Sequence, residues 1–186
     1  MSTSPTAAQA ATTYNIDPSH SGAHFKVRHL MISWVRGEFT KVSGTVTFDE
    51  TNPTASSVTA DIDVNSINTR EPDRDKDLLS ANFLDAAKYP TIAFRSAKIE
   101  ADGKDEYNVT GDLTIHGVTK TVVLEVDSVT PEIKDPWGFI RRGLAATTKI
   151  SRKEFGLTYS PVLETGGVIV GDEIEISLDV ELVRKA

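Results

Sequence analysis

Along most of the chain, apolar and polar residues alternate one by one. The clearest case is residues 174–182, where Ile, Leu and Val alternate with Glu, Ser and Asp. Residues 58–64 and 107–115 repeat the pattern. Because successive side chains of a β-strand point to opposite faces, the alternation predicts strands with one face toward a core and one toward water.

Weaker versions of the same alternation cover four more segments, which are residues 45–48, 91–99, 120–129 and 143–150. Residues 21–29 are also compatible with an extended strand. Turn-forming residues separate neighbouring segments, for example at residues 49–53 and 101–105. About eight strands joined by such turns are typical of an antiparallel barrel or sandwich.

One segment, residues 69–89, has helical spacing instead. Its apolar residues are Leu78, Leu79, Phe83 and Leu84, with charged residues on the other side. Pro72 lies near the start of the segment. Pro90 ends it, because a proline disfavours helical geometry in the residue before it. The pattern predicts one helix over about residues 70–88, lying against or over the barrel.

The chain divides into a tail and one domain. The first dozen residues are mostly Ser, Thr, Ala and Gln and offer almost nothing to bury, so residues 1–12 are predicted to be disordered. Residues 13–186 show no repeat, linker or change of composition, and we expect them to form one domain. A chain of 186 residues is long enough to bury a core without metal or disulfide.

Composition narrows the possible functions. The net charge of −7 argues against a nucleic-acid partner, which requires clustered basic residues. The absence of cysteine removes thiol nucleophiles, iron–sulfur clusters and cysteine zinc sites. The N-terminal residues lack the basic start and apolar run of a secretory signal, and no segment approaches a membrane span. We therefore expect a cytoplasmic protein without stable membrane insertion.

Three of the four histidines, His20, His24 and His29, lie within ten residues and are the first candidates for a metal site. If this segment is a strand, His29 shares a face with Phe25 and Val27, whereas His20 and His24 point to the other side. Four residues of strand separate His20 from His24 by about 13 Å, too far for one zinc ion. We predict no metal site, and expect His20 and His24 to face solvent.

The run Asp73, Asp75, Asp77 is similar to the opening of a calcium-binding loop. Such a loop needs glycine at its sixth position and glutamate at its twelfth, where this chain has Leu78 and Leu84. We interpret the three aspartates as a solvated helix start, where the helix dipole favours negative charge.

His29 belongs to an apolar set with one polar member. The set is Phe25, Val27, His29, Ile32, Trp34 and Phe39. This composition is typical of a pocket that holds an apolar ligand and orients its polar end, with a hydrogen-bonded core histidine as the alternative. Most inward positions of the predicted strands carry modest side chains, which leave an eight-stranded barrel hollow. Leu78, Leu79 and Phe83 would then face its interior.

Four stretches of the chain carry a family resemblance. They are YNIDPSHSGAHFKVRHL with VRGEF, LLSANFLDAAKYPTIAFRS, DLTIHGVTKTV, and ISRKEFGLTY with the later ETGG and VGDEIEISLDVEL. In this order they resemble the YceI-like family, also called polyisoprenoid-binding proteins, over residues 14–185. The resemblance implies an all-β fold, an eight-stranded antiparallel lipocalin-like barrel with one helix. It also implies a tunnel for one long amphiphilic chain, such as a polyisoprenoid, an isoprenoid quinone or a fatty acyl derivative.

The resemblance has further implications. Members often form homodimers, and many are periplasmic, whereas this chain is predicted to be cytoplasmic. Phe25, Val27, His29, Phe39, Phe83 and Phe94 occupy positions where the family presents apolar or pocket groups, while Asp17 and Ser21 look structural. The predicted ligand-binding residues are therefore Phe25, Val27, His29, Ile32, Trp34, Phe39, Leu78, Leu79, Phe83 and Phe94. Among them, His29 is the first candidate for a headgroup contact and Trp34 for a lid.

We therefore expect a passive lipid-binding protein, without enzymatic activity or a cofactor other than its lipid, that stores or transports this ligand. Two alternatives stay open. One is an enzyme acting on an isoprenoid or acyl lipid, with His29 or His116 as general acid or base. The other is a stress-related structural or partner-binding module.

Overall fold

The computed structural model describes residues 11–161 and 168–185. Within these residues the chain forms twelve strand segments, one α-helix and three short 3-10 turns. The strands are β1 (Thr12–Ile16), β2 (Gly22–His29), β3 (Ser33–Phe39), β4 (Val42–Phe48), β5 (Ser57–Asp63), β6 (Ile67–Asn68), β7 (Thr91–Ala101), β8 (Tyr107–Ile115), β9 (Val118–Val129), β10 (Ile133–Lys134), β11 (Phe139–Ser151) and β12 (Val170–Lys185). The helix is α1 (Pro72–Leu79), and the 3-10 turns are Pro53–Ala55, Val64–Ser66 and Arg152–Phe155.

The predicted tail, residues 1–12, overlaps the start of this range. Strand β1 begins at Thr12, the last residue of the predicted tail, because Thr12 pairs with Phe48 of β4. Residues 1–10, which make up most of that tail, lie outside the described residues.

Eight strands close into an antiparallel barrel. Around the ring, hydrogen-bonded neighbours follow the order β1, β4, β5, β7, β8, β9, β11 and β12, and β12 pairs again with β1. Strand β12 is 16 residues long and pairs with β11 on one side and with both β2 and β1 on the other. The predicted eight-stranded antiparallel barrel with a single helix is confirmed.

Three strands of the ring are kinked and continue beyond it. Strands β1 and β2 run in the same direction along β12, so they are two halves of one strand interrupted at residues 17–21. Strands β3 and β4 are the halves of the next strand, and β5 continues through the turn Val64–Ser66 into β6. The ring therefore carries a flared extension made of β2, β3 and β6.

Strand pairing places the apolar members of the alternating pattern inside the barrel. Ile174 and Ile176 of β12 lie opposite Val27 and Phe25 of β2, and all four face inward. On the outer face, the Lys26 ammonium lies 2.8 Å from a carboxylate oxygen of Glu175, its cross-strand neighbour on β12. The inward and outward positions predicted for β12 are confirmed.

The helix is shorter than predicted. The pattern predicted residues 70–88, but α1 ends at Leu79. Both the backbone N–H and the hydroxyl of Ser80 donate to the carbonyl oxygen of Asp77, at 3.0 and 2.7 Å, and Asp85 adopts a left-handed φ of 46°. These local bonds favour tight turns over further helix. No helix among the described residues is long and apolar enough to cross a membrane.

Deeply buried side chains lie near both ends of the barrel. Tyr14 and Leu182, 1% and 2% exposed, are buried at one end, here called the Tyr14 end. Phe155, 1% exposed, is buried near the other, here called the Phe155 end. None of these three side chains is among the residues that line the barrel interior described below. The ends are therefore packed, whereas the space between them is not filled.

Gly44 is required where β4 pairs with β5. Its φ is 149°, and a Cβ at this position would lie 2.0 Å from the carbonyl oxygen of Thr59. We expect Gly44→Ala to lower the free energy of unfolding by about 3 kcal/mol, because backbone strain and a clash add together. Gly138 is the matched control, since its φ is also positive at 89° but nothing lies within 4 Å. In urea unfolding, Gly138→Ala should lower the free energy of unfolding by only about 1 kcal/mol. Equal losses of stability in the two variants would contradict a clash at residue 44.

Candidate functional site

An apolar cavity of about 260 Å³ lies inside the barrel. Every strand of the ring contributes lining residues, and so do β2, β3, β6, α1 and the connection from α1 to β7. Almost all of these residues are apolar, and the polar ones include Tyr107 toward the Tyr14 end and Arg152 toward the Phe155 end. The expectation of a barrel that does not fill itself is met.

The cavity is long and narrow. Its lining along β12 extends from Val170 to Val180, which is about 33 Å of strand at ~3.3 Å per residue. With the usual tilt of barrel strands, this corresponds to about 25 Å along the axis. Pockets for drug-sized ligands have volumes of about 300–1,000 Å³. A somewhat smaller volume spread over this length fits a single chain better than a bulky ring system.

Six of the ten predicted ligand-binding residues line this cavity, and they are Phe25, Val27, Phe39, Leu78, Phe83 and Phe94. The rings of Phe25 and Phe39 pack with their centroids 5.7 Å apart. The Phe83 ring packs edge-on against Tyr159 at 5.2 Å, near the Phe155 end. The structure thus brings these residues together from different elements, and their contact with a ligand stays a prediction.

Ile32 and Trp34, two more of the predicted ligand-binding residues, are not among the described residues that line the cavity. Ile32 follows the turn between β2 and β3, and 79% of its surface is exposed. Trp34 pairs directly with Arg28, so its ring lies on the outer face. There the Arg28 guanidinium and the Lys26 ammonium lie 4.1 and 4.8 Å from the ring centre. Facing positions of paired strands share a side of the sheet, so Trp34 follows its basic neighbours.

Leu79 and His29 also lie outside the cavity lining. Leu79 is half-buried against the core at the end of α1. His29 ends β2, opposite Val170. His116, the other candidate for acid–base chemistry, lies in the turn between β8 and β9, where its ring packs against Tyr89 with centroids 4.6 Å apart. Neither imidazole is among the described residues that line the cavity.

The side chains of His20 and His24 are exposed, as predicted, by 59% and 41%. Strand β2 contributes His24 to the edge of the cavity lining, but its two ring nitrogens face Glu38 and Asp179, each at 3.6 Å. These contacts lie on the outer surface of the sheet and neutralise the imidazole when it is protonated.

Possible metal ligands do cluster at one place in the described residues. Ligand atoms of Asp17, His20 and Glu181 lie within 4.8 Å of one another. Nη1 of Arg141, however, already donates to Asp17 at 2.7 Å and to Glu181, while its Nε donates to Asp135 at 2.7 Å. The guanidinium supplies the positive charge that the carboxylates need. We interpret the cluster as an ion network that ties the break between β1 and β2 to β11 and β12.

Two buried arginines were missed by the analysis of the sequence. Arg152, 3% exposed, donates from its three guanidinium nitrogens to the backbone carbonyls of Gly171, Leu157, Tyr159 and Val170. Burial lowers the pKa of this guanidinium. Its position continues the inward alternation of β11, which was the available signal. Because four carbonyls accept from it, the charge can be buried without a carboxylate in direct contact.

Arg142 lies toward the Tyr14 end and is 9% exposed. It pairs with the buried Leu182 across β11 and β12 and therefore points inward. Its Nη2 donates to Glu50 at 2.6 Å, and its guanidinium carbon lies 5.0 Å from the ring centre of Phe48. Its Nε and Nη1 are buried without a hydrogen-bond partner in the described residues.

The fold and the cavity define a lipocalin-like barrel with an apolar interior. The YceI-like domain model matches residues 14–182, and the chain therefore belongs to the YceI-like family. Protein YceI of Salmonella newport (strain SL254) is 40% identical over 182 residues, which are 97% of this chain and 91% of that protein. Protein YceI of Salmonella arizonae shows the same identity and coverage.

Solved structures share the fold. BcnA of Burkholderia cenocepacia superposes with a TM-score of 0.78 at 27% identity, over 89% of this chain and 98% of that one. The YCEI protein of Campylobacter jejuni gives 0.71 at 30% identity, over 86% and 90%. A polyisoprenoid binding domain from Saccharophagus degradans, implicated in plant cell wall breakdown, gives 0.67 at 17% identity, over 91% and 97%. At 17% identity, this last likeness is one of fold alone.

Asp17 provides a test of the ion network. The hydrogen bond from Arg141 lowers its pKa from 3.8 to about 2. A carboxylate with a depressed pKa in the folded state contributes stability above its unfolded pKa, and the contribution is lost as the pH falls through the folded value. Asp17→Asn should therefore lower the free energy of unfolding at pH 7, and its difference from the wild type should shrink between about pH 4 and pH 2.

Urea unfolding at these pH values measures the difference. Asp127→Asn is the control, because Asp127 is exposed and lies outside the network. A gap between wild type and Asp17→Asn that persists unchanged at pH 2 would show that the carboxylate does not act through its charge.

Proposed function

We propose that the protein binds one long-chain amphiphilic lipid, such as a polyisoprenoid, an isoprenoid quinone or a fatty acyl derivative, inside the barrel and stores or transports it. The long apolar cavity is the observation that carries the proposal. Water gains little from entering such a cavity, because a buried water molecule needs polar partners. An alkyl or isoprenoid chain gains about 0.8 kcal/mol for each methylene that leaves water.

The binding needs no chemical step, and the transfer of the chain out of water makes it strong enough to hold the lipid. A chain of about fifteen carbons has a gross driving force of about 12 kcal/mol, from which the costs of association and chain ordering are subtracted. The likeness to a polyisoprenoid binding domain from Saccharophagus degradans supports the proposal at the level of the fold.

The geometry favours binding over catalysis. The two histidines considered for acid–base chemistry, His29 and His116, lie outside the cavity lining, and no carboxylate is among the described lining residues. A lipid inside the barrel would therefore meet hydrocarbon along most of its length instead of a pair of proton-transfer groups. Membership of the YceI-like family points the same way.

Several properties remain predictions from the sequence. They are the homodimer, the cytoplasmic location, the absence of a nucleic-acid partner, and the absence of a cofactor other than the lipid. The stress-related module is the remaining alternative function, and the lipid content of the purified protein separates it from the proposal.

Transport requires a surface where the lipid can enter and leave, and the hairpin tip between β2 and β3 has suitable properties. Leu30 and Met31 occupy the left-handed region with φ of 51° and 59°, which costs about 1–2 kcal/mol for each non-glycine residue. Met31 and Ile32 are 58% and 79% exposed. The tip adjoins the lining residues Val27 and Val170. We infer that the cavity opens beside it, at a mouth where the tip inserts into a lipid bilayer.

The first prediction concerns retention of the lipid. Phe83→Glu should reduce the lipid bound to the purified protein at least tenfold, because a carboxylate in the apolar cavity would lose its hydration. Organic extraction followed by mass spectrometry measures the content. Val123→Glu is the control, since Val123 is 44% exposed and outside the cavity lining. A folded Phe83→Glu variant with normal lipid content would place the ligand elsewhere, and a wild type that holds no lipid and takes up no geranylgeraniol would favour the structural module.

The second prediction concerns transfer. The double variant Met31→Ser, Ile32→Ser should slow the transfer of an NBD-labelled fatty acid to phosphatidylcholine vesicles about tenfold, because two apolar side chains no longer enter the bilayer. Its equilibrium affinity for the same probe should not change. Ile133→Ser is the control, since Ile133 is 63% exposed but lies on β10, away from the mouth. Equal transfer rates for all three proteins would exclude the tip as the docking surface.

A further inference from the structure

A second pocket, of about 330 Å³, lies at the Tyr14 end of the barrel. The lining residues that matter here are Tyr14, Phe48, Glu50, Glu132, Arg142 and Arg184. We call it the polar pocket. Phe48 lines both the polar pocket and the apolar cavity, and its ring also packs edge-on against Tyr107 of the cavity at 5.8 Å. The two compartments are therefore neighbours that share one aromatic wall.

Arg142 is the unusual group in the polar pocket. It is nine-tenths buried, and two of its three guanidinium nitrogens have no hydrogen-bond partner in the described part of the chain. Leaving buried donors of a charged group unpaired is costly. The same barrel saturates Arg152 with four backbone carbonyls. The contrast indicates that Arg142 keeps donors for a molecule that enters the pocket.

The charges of the pocket select the kind of acceptor. Arg184 donates to both carboxylate oxygens of Glu132, at 2.9 and 3.1 Å, and the Tyr14 hydroxyl donates to Glu132 as well. Arg142 in turn contacts Glu50 at 2.6 Å. The positive charges of the two guanidinium groups are therefore balanced by the negative charges of the two carboxylates. A phosphate or carboxylate would place further negative charge beside both glutamates, whereas a carbonyl or hydroxyl oxygen would accept from Arg142 without this repulsion.

We propose that the polar pocket binds the uncharged, oxygen-bearing head of the amphiphile, with Arg142 donating to its carbonyl or hydroxyl oxygen. The inference rests on the proposed function, because the head is tethered to the chain in the adjoining cavity. The assignment places the head at the Tyr14 end and the tail toward the Phe155 end. His29, the candidate chosen from the sequence, lies at the opposite end, next to Val170.

Three probes with one C20 isoprenoid chain test this assignment. They are geranylgeraniol, its diphosphate, and the corresponding hydrocarbon without oxygen. Isothermal titration calorimetry on the delipidated wild type should show the alcohol binding about tenfold tighter than the hydrocarbon, and the diphosphate no tighter than the alcohol. Arg142→Met should bind the alcohol and the hydrocarbon equally, with unchanged affinity for the hydrocarbon. Arg36→Met, a change of an exposed arginine on the outer face, should leave all three affinities unaltered.

Glu50→Gln tests the charge balance independently and covers the case in which Arg142→Met fails to fold. Removing one carboxylate leaves the polar pocket positive, so affinity for the diphosphate should rise about tenfold relative to the alcohol. The inference is overturned if wild type binds the alcohol and the hydrocarbon equally, which would mean that water satisfies Arg142, or if it prefers the diphosphate. A wild type that binds none of the three probes would instead refute the proposed function.

Discussion

Closure of the ring through β12 is the constraint on which the rest of the structure depends. This strand pairs with β11 along thirteen consecutive residues, from Phe139 to Ser151, and holds both halves of the kinked β1–β2 strand on its other edge. Once eight strands are closed, their number and stagger fix the radius of the barrel. A ring of eight strands is just wide enough either to be filled by side chains or to hold one small ligand. Here the lining consists mostly of aliphatic side chains, and they leave a cavity of about 260 Å³.

The two ends of the apolar cavity differ because the buried arginine at each end has different hydrogen-bond partners. Arg152 is saturated by backbone carbonyls and joins the turn that follows β11 to the start of β12. Among the residues that the structure describes, Arg142 has a carboxylate partner and an aromatic neighbour, but its Nε and Nη1 have no hydrogen-bond partner. One end thus combines a satisfied charge with an exposed apolar tip at Met31 and Ile32, and the other offers free hydrogen-bond donors. An amphiphile in the barrel would meet opposite chemistry at its two ends.

The sequence predicts what depends on local periodicity. Alternation places Phe25 inside the barrel and Lys26 outside, because the period of a strand needs no knowledge of its partners. The prediction for Trp34 fails because it relied on apolar composition: by alternation Trp34 shares the outward face of Lys26 and Arg28, and it pairs with Arg28. Composition also misleads for Arg142, which has the inward parity of Leu144 and Ala146 and contacts Glu50, 92 residues away in the sequence. A composition rule assigns such an arginine to the surface, and tertiary contacts decide otherwise.

Selectivity for a ligand would divide unequally between the two compartments. The apolar cavity can measure chain length, but each methylene contributes only about 0.8 kcal/mol, and a chain that is slightly short loses little. A polar pocket with unpaired donors discriminates more sharply, because a ligand without the matching oxygen leaves a buried charged group unsatisfied, and sites of this kind can reject an analogue by about 10⁴-fold when the donor is fully buried. Since Arg142 keeps one bond to Glu50 whatever enters, its discrimination should be smaller than this limit. At the tenfold preference expected for the head, which is about 1.4 kcal/mol, the head would count for as much as about two methylenes of the tail.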